Sequence, residues 1–217
     1  MSTRAISVVI ICVQVFASVA TAFPQIVPAE RVPTSELLRQ LGELPASLAP
    51  SRRSDGRPNP VEQRRQQLYL HLRALDTDAL PALIRGLTDP EVGVRRNVAL
   101  FLSCAAGNWY TPLQPRLDIQ SCLPALITAL GDSDARVREL AAQAIGEIGS
   151  QASPAVPALV LLLSDREEGS RNSACIGLAG IGPAAKDALP ALRKALSDPS
   201  TDVRGFAERA IRKIETQ

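Results

Sequence analysis

The sequence contains few of the residues on which most active sites depend. Among its 217 residues there is one histidine, His71, and aromatic residues make up only 3% of the chain. A lone histidine without a clustered cysteine pair supports neither a metal site nor a histidine-activated nucleophile. The chain also lacks a glycine-rich phosphate loop and the acidic spacing of a calcium loop. We therefore predict a protein that is not an enzyme and that holds no cofactor or metal ion.

Strong charge of either sign is missing as well. The formal net charge is +2, from 24 basic and 22 acidic residues. This balance is too small to indicate nucleic acid as a partner. One local exception is the stretch 52–65, where five arginines stand against Asp55 and Glu62. Such a run either meets an acidic partner or, more often, lies in a solvated loop.

The first 22 residues differ from the rest of the chain. Arg4 is the only charged residue before Glu30, and residues 5–20 are mostly Ala, Val, Ile and Phe. An Ala-Thr-Ala sequence ending at Ala22 then completes the pattern of a secretory signal peptide. We predict cleavage after Ala22 and a secreted or periplasmic protein. The alternative is an uncleaved anchor, which would be the chain's only contact with a membrane.

Four segments repeat one pattern without gaps. They begin with Leu or Val followed by Pro-Ala-Leu, at Leu80, Leu123, Val156 and Leu189. An aspartate follows each proline at +8, and an arginine follows each aspartate at +6. The aspartates are Asp89, Asp132, Asp165 and Asp198, and the arginines are Arg95, Arg138, Arg171 and Arg204. Internal repeats of this length indicate a stacked architecture.

Each repeat is predicted to form two helices. The first helix has an apolar stripe at helical spacing and a proline in its first turn, where the missing N–H costs nothing. In the second repeat these residues are Leu123, Leu126, Ile127 and Leu130, with Pro124 as the proline. The second helix has a stripe of small and aliphatic residues: Val137, Ala141, Ala144, Ile145 and Ile148 in that repeat, and Val203, Ala207, Ala210 and Ile211 in the last. Gly149 and Gly182 are predicted to end second helices in a left-handed conformation.

The Pro-Ala-Leu helix, the aspartate turn, the Val-Arg opening of the second helix and the closing glycine together resemble HEAT-like repeats of the phycobilisome-lyase type. The resemblance covers roughly residues 61–217. It implies an all-α fold: an α-solenoid of about four HEAT-like helix hairpins with an N-terminal capping helix. The predicted domains are a signal peptide (1–22), an N-terminal helix and linker (23–59) and a HEAT-like repeat domain (60–217).

The N-terminal part of the array is predicted to be an incomplete repeat. A helix from Val61 to about Leu75 carries Leu68, Leu72 and Leu75 on one face. Val61 aligns with Val137, which makes this the second helix of a leading unit. An earlier stretch with Leu37, Leu41, Leu44 and Leu48 at helical spacing is a candidate for its first helix. Terminal repeats are commonly atypical because they cap the stack.

The repeated aspartates and arginines have two interpretations. They form either a row of acid and base groups or a structural element in which the aspartate braces the turn and the arginine binds carbonyls or a neighbouring aspartate. Asp89-Pro90 and Asp198-Pro199 also fit a helix N-cap followed by proline. Recurrence in every repeat favours a structural role, because a catalytic group is needed only once.

The first repeat is ten residues longer than the others, since its proline spacing is 43 against 33. The insertion carries the only tryptophan, Trp109, next to Tyr110. These two either contact a partner or cover the edge of the core. Cys104 and Cys122 flank the insertion and are a candidate disulfide in an oxidising compartment. Cys175 aligns with Ala142 and is predicted to be a small buried residue.

Solenoids bind partners mainly along the second helices of their repeats. Two positions on these helices point away from the predicted buried stripe. They hold the candidate contact residues Arg96, Glu139, Asn172, Leu100, Gln143, Ile176 and Arg209. Leu100 and Ile176 are apolar in an otherwise polar row, so they either meet a partner or pack against a neighbouring helix.

These patterns predict a scaffold or adaptor outside the cytoplasm that binds another protein. Two alternatives stay open. The resemblance implies a lyase-like or chaperone-like subunit acting on a chromophore-carrying protein, although that family works in the cytoplasm. The solenoid could also be a regulatory subunit of a separate enzyme.

Overall fold

The structure is a computed structural model that describes residues 33–45, 57, 59–74, 79–106 and 118–216. The predicted signal peptide, Leu48, Leu75, Trp109, Tyr110 and the side chain of His71 lie outside what it describes. The described residues form ten α-helices and three 3₁₀ helices and contain no strand. The α-helices are α1 Thr34–Gly42, α2 Pro60–Ala74, α3 Leu80–Gly86, α4 Val92–Ala106, α5 Leu123–Ala129, α6 Ala135–Ile148, α7 Val156–Leu162, α8 Glu168–Ile181, α9 Leu189–Ala195 and α10 Thr201–Glu215. The 3₁₀ helices are Ile119–Cys122, Gly149–Ala155 and Gly182–Ala188.

The four predicted repeats are the helix pairs α3–α4, α5–α6, α7–α8 and α9–α10. Each first helix is seven residues long and has its proline within the first turn, as predicted. The stripe of α6 is buried at Val137, Ala141, Ala144 and Ile145. In α10 the stripe ends differently from the prediction, because Ile211 is only half-buried and Ile214 is buried in its place.

The second helices pack against one another in chain order, α4 on α6, α6 on α8 and α8 on α10. Small residues make the α6–α8 contact very close. A Cβ placed on Gly180 would lie 2.3 Å from the carbonyl oxygen of Gly146, and one on Gly177 would lie 2.8 Å from that of Ala142. The two backbones therefore touch directly. The fold is the predicted all-α solenoid of helix hairpins.

Gly149 and Gly182 end α6 and α8 with positive φ angles of 78° and 69°. Their ψ angles are −146° and −141°, so neither residue is in the left-handed helical conformation that we predicted. They occupy instead a region that is accessible almost only to glycine. This geometry turns the chain from each second helix into the 3₁₀ helix that leads to the next repeat.

The N-terminal end differs from the predicted register. The alignment of Val61 with Val137 made α2 the second helix of a leading repeat, but α1 is the N-terminal helix whose backbone contacts α4. A Cβ on Gly93 would lie 2.5 Å from the carbonyl oxygen of Gly42. Asn97 Nδ2 also donates a 3.0 Å hydrogen bond to the carbonyl of Leu44. Two glycines in contact let α1 take this place.

The helix α2 packs against α1 and reaches α4 through an aromatic pair. The rings of Tyr69 and Phe101 meet edge to face, with centroids 4.9 Å apart. Leu68 and Leu72 are buried, as are Leu37 and Leu41 of α1, in agreement with the predicted stripes. The N-terminal pair thus caps the array by closing the exposed side of α4.

One described stretch, Ala135–Leu162, is long and apolar enough to span a membrane by length and composition alone, and its 18-residue apolar window has a mean hydropathy of 1.2. It comprises α6, the 3₁₀ helix Gly149–Ala155 and α7. Three of its aliphatic side chains are buried: Leu140, Ile145 and Leu159. These side chains contribute to the solenoid core, and 33% of the apolar window is buried.

Candidate functional site

The repeated aspartates brace the turn between the two helices of each repeat. In all four repeats one carboxylate oxygen accepts a hydrogen bond from the backbone N–H two residues further on. The distances are 2.8 Å from Asp89 to Glu91 N, 2.8 Å from Asp132 to Asp134 N, 2.9 Å from Asp165 to Glu167 N and 2.9 Å from Asp198 to Ser200 N. The predicted N-cap role is wrong for both Asp89 and Asp198. The helix α4 begins at Val92 and Ser200 caps α10, so each aspartate stands two residues before the position that precedes its helix.

The repeated arginines connect one repeat to the next. Arg95 donates to Asp132 at 2.8 and 3.1 Å, and Arg171 donates to Asp198 at 2.8 and 3.0 Å. Arg138 donates to Asp165 at 2.8 Å. We call these three pairs the Asp–Arg ladder. The ladder confirms the structural interpretation of the repeated acid and base groups.

The arginines of the ladder also close their own turns. In each repeat Nη1 of the arginine donates to two backbone carbonyls of its own turn. One belongs to the aspartate of the same repeat and the other to the residue after that aspartate. Arg204 in the last repeat makes only these bonds, at 2.7 Å to Asp198 and 3.0 Å to Pro199. Within the described residues it has no carboxylate partner, which follows from its place at the end of the array.

Two aspartates of the ladder, Asp165 and Asp198, have lowered pKa values. The guanidinium of Arg171 holds the pKa of Asp198 below its usual range. Burial alone would raise the pKa of Asp165, but hydrogen bonds from Arg138 and from the backbone outweigh it and lower the pKa. Carboxylates held in this way stay ionised near neutral pH and have no free proton to transfer. The ladder therefore serves the packing of one repeat on the next.

The predicted contact residues on α4, the first of the second helices, are occupied by intramolecular contacts. Leu100 is only 3% exposed, so its interpretation as a partner contact is wrong. It lies in α4, which packs between α1 and α6. Arg96 donates to Asp134 at 2.8 and 2.5 Å, which raises the pKa of Arg96 and lowers that of the carboxyl. Neither residue is available without breaking the core or an ion pair.

The candidates on α6 and α8 are partly accessible. Glu139 accepts a 2.8 Å hydrogen bond from Arg136, and Gln143 donates a 3.3 Å hydrogen bond to the hydroxyl of Ser173. Asn172 is half-buried. Ile176 is 37% exposed, which is unusual for a large aliphatic residue in this chain. Glu139 and Gln143 bind neighbouring side chains, whereas the buried amide oxygen of Asn172 has no hydrogen-bond partner and Ile176 faces solvent.

Three of the predicted contact residues meet in one groove. Gln143 of α6, Ile176 of α8 and Arg209 of α10 line a depression of about 450 Å³ that crosses the C-terminal halves of the second helices. Gly146, Ala179 and Gly180 contribute its floor. Its other lining residues include Glu147, Phe206 and Lys213. We call this depression the second-helix groove.

Glu147, Phe206 and Lys213 were not predicted from the sequence. Glu147 lies four residues after Gln143, and Phe206 and Lys213 lie three before and four after Arg209. These are the spacings at which helix residues share one face. Extending the predicted row along the same face would have found them. Arg209 lies over the ring of Phe206, with 5.3 Å from its guanidinium carbon to the ring centroid.

The arginine-rich stretch 52–65 is not uniformly solvated in its described part. Arg65 is fully buried and donates a 2.8 Å hydrogen bond to Glu62, which is also buried. Its other terminal nitrogen binds the carbonyl of Pro45. Arg57 and Arg64 are exposed. The solvated-loop interpretation is therefore wrong for Arg65, which connects α2 to the chain after α1.

The described cysteines are free thiols. The candidate disulfide between Cys104 and Cys122 is thus not formed in the structure, although both residues border the insertion. Burial raises the pKa of each of these two thiols to about 11. Cys175 is fully buried, as predicted, and burial raises its pKa to about 12. No group of three or more metal-ligating side chains occurs among the residues that the structure covers.

Comparison with known proteins agrees with this architecture. The family described as HEAT repeats matches residues 111–179. None of the curated protein sequences matches the chain. The structure of the complex of CpcE and CpcF of phycocyanin lyase from Nostoc sp. PCC7120 is similar, with 21% identity and a TM-score of 0.60 over 82% of this chain and 96% of that one.

Designed repeat proteins are similar as well. A designed armadillo repeat protein in complex with the peptide (KR)4 has 19% identity and a TM-score of 0.54, over 83% of this chain and 81% of its own. Another designed armadillo repeat protein has 20% identity and a TM-score of 0.52, over 83% and 82%. At these identities the likeness establishes the fold. The chain has an α-solenoid fold and matches HEAT repeats over residues 111–179.

Proposed function

We propose that this protein is a non-catalytic scaffold that holds another protein in the second-helix groove. The observation that carries the proposal is the convergence of Gln143, Ile176 and Arg209 from three successive repeats. Each repeat contributes one side chain, so the groove exists only in the assembled array. A surface of this kind suits an extended segment of a partner.

The chemistry of the described residues supports binding over catalysis. Every ladder carboxylate and arginine is engaged in packing, and Cys122 and Cys175 are buried. The groove instead offers an exposed aliphatic residue, an aromatic ring, an amide and two cations. Such a mixture is typical of a contact surface with an apolar centre and a polar rim.

Site-specific photo-crosslinking tests the proposal. A photoreactive amino acid replaces Ile176 in one variant and Leu161 in a control variant, since Leu161 is 77% exposed on the first helix α7 and does not line the groove. We expect the probe at 176 to capture a defined protein that the probe at 161 does not. A probe at Gln143 should capture the same protein. Identical adducts at 176 and 161, or none at 176, would contradict the proposal.

A lyase-like or chaperone-like subunit is the second candidate function. It is supported by the similarity in fold to the phycocyanin lyase complex, whose chain is matched over 96% of its length. Under this alternative the groove would meet a chromophore-carrying protein. Adding a bilin to the purified protein separates the two functions. A shifted and intensified absorption band would favour the lyase-like role, and an unchanged spectrum favours the scaffold.

We also propose that the scaffold acts outside the cytoplasm, as the sequence of residues 1–22 predicts. Intact mass and N-terminal sequencing of the protein from its native source test this. We expect the mature chain to begin at Phe23. A chain that keeps residues 1–22 and partitions with membranes would support the anchor instead. A regulatory role toward a separate enzyme would appear as an enzyme among the crosslinked proteins.

A further inference from the structure

The floor of the second-helix groove is made of backbone. Gly146 and Gly180 are in direct contact, because a Cβ on Gly180 would lie 2.3 Å from the carbonyl oxygen of Gly146. Ala179 is the largest side chain among these three floor residues. With so little side-chain volume in its floor, the groove admits a medium-sized side chain from a partner, down to the level of the helix backbones.

The wall on the α8 and α10 side is apolar. Ile176 is 37% exposed and Phe206 is half-buried, and both line the same depression. Burial of an aliphatic side chain between them would remove apolar surface of both partners from water. The groove therefore favours one apolar residue of the partner at its centre.

The two cations of the groove have no carboxylate partner among the described residues. Other arginines of the second helices are paired, such as Arg96 with Asp134 and Arg212 with Glu208. Arg209 stacks on Phe206 instead, and Lys213 is exposed. Stacking restricts the guanidinium, so less freedom is lost when it binds a carboxylate. Against these cations the groove has one carboxylate, Glu147, on the far helix α6.

Spacing links the two cations to an extended partner. Arg209 and Lys213 are four residues apart on one helix face, which corresponds to roughly 6 Å along the axis. Alternate residues of an extended chain are about 6.6 Å apart and point to the same side. Two acidic residues separated by one residue can therefore face both cations. The residue between them points away from α10, across the groove toward α8.

We infer that the second-helix groove binds an extended acidic segment of a partner protein with an acid–apolar–acid sequence. The acidic side chains bind Arg209 and Lys213 of α10, and the apolar one packs on Ile176 of α8. This inference rests on the proposed function and names the class of partner that the groove accepts.

Fluorescence anisotropy with short labelled peptides tests the inference. The probe contains Glu-Leu-Glu between Gly-Ser flanks, and the comparison peptides contain Lys-Leu-Lys or Glu-Ser-Glu. We expect the protein to bind Glu-Leu-Glu at least tenfold more tightly than either comparison peptide, which is about 1.4 kcal/mol. The affinity should fall as salt is added, since the cations are exposed. Equal binding of all three peptides, or no binding of Glu-Leu-Glu, would overturn the inference.

Charge reversal identifies the site. The double variant Arg209→Glu with Lys213→Glu should lose at least tenfold in affinity for Glu-Leu-Glu and should gain affinity for Lys-Leu-Lys. The control is Lys186→Glu with Lys194→Glu, which changes the net charge equally at two exposed lysines outside the groove. Equal losses in both double variants would reduce the effect to net charge and overturn the inference. Circular dichroism checks that both variants remain helical.

The peptide and crosslinking experiments fail separately. If the probe at Ile176 captures a protein but Glu-Leu-Glu does not bind, the scaffold function stands and the acidic partner class is wrong. If neither the crosslink nor the peptide is observed, both the function and the inference fail.

Discussion

Arg171 donates two hydrogen bonds, of 2.8 and 3.0 Å, to the carboxylate of Asp198 in the following repeat. The same arginine binds two carbonyls of its own turn. One side chain thus closes a turn and holds the next repeat in register. The same pair recurs between successive repeats, so the stability of each repeat depends on its contact with the next one.

We expect Arg171→Met to destabilise the protein by about 3 kcal/mol, because it leaves the Asp198 carboxylate, only 9% exposed, without its charge partner. Methionine retains most of the packing of the arginine stem. The measurement is urea unfolding at pH 7.

Arg204→Met is the matched control for this prediction. Arg204 makes the same carbonyl bonds but has no described carboxylate partner, so we expect a loss of about 1 kcal/mol. The difference between the two variants measures the ion pair between repeats. Equal losses would mean that the ladder contributes nothing beyond turn closure.

The ladder and the Arg96–Asp134 ion pair also predict how stability falls in acid. The pKa values of Asp134, Asp165 and Asp198 are lowered in the folded protein. A lowered folded-state pKa stabilises the protein above the unfolded value of about 3.9, and this contribution is lost as pH falls toward the folded value. We expect the urea midpoint to change little from these groups between about pH 6 and 5 and to fall below about pH 4.

Asp198→Asn tests the assignment of the acid limb. Its destabilisation relative to the original protein should be largest near neutral pH. The difference should shrink as the pH falls below about 4 toward the lowered folded-state pKa, below which the carboxylate is protonated in both states. A midpoint that rises on acidification, or a difference that is independent of pH, would contradict the predicted role of the carboxylates.

The same substitution should have opposite effects at two helical glycines. Gly180→Ala introduces a Cβ 2.3 Å from a backbone oxygen of α6, and helix backbones must separate to accept it. We expect a loss of roughly 1–3 kcal/mol. Gly205→Ala adds a Cβ with no atom within 4 Å and should stabilise α10 by about 0.5–1 kcal/mol. Thermal unfolding measures both, and a destabilised Gly205→Ala would contradict the open space at that position.

The free thiols should be protected in the native protein. Cys122 and Cys175 are buried, with pKa values raised to about 11 and 12, so little thiolate is present at pH 8. We expect iodoacetamide to modify neither residue until the protein is unfolded, and to modify the half-buried Cys104 first. Peptide mass mapping checks the order, and a peptide linking Cys104 to Cys122 would instead support the disulfide.

Local patterns in the sequence determined the helix hairpins. The Pro-Ala-Leu openings, the apolar stripes and the glycines after α6 and α8 act within a few residues, so periodicity and turn chemistry identify them. An aspartate and an arginine six residues later, such as Asp132 and Arg138, recur in each repeat, and this recurrence also indicated a structural role for both. Arg95, Arg138 and Arg171 each bind the aspartate of the next repeat, so the pairing follows the order of the repeats.

Tertiary packing decided which residues remain available for binding. Leu100 and Ile176 occupy equivalent places in their repeats, yet Leu100 is buried and Ile176 is exposed. The difference arises because α1, whose contact with α4 depends on Gly42 and Gly93, closes the N-terminal end of the array. The spacing of residues along a helix predicts on which face of the helix a side chain lies. Only the arrangement of neighbouring helices decides whether that face is covered, because burial depends on atoms distant in sequence.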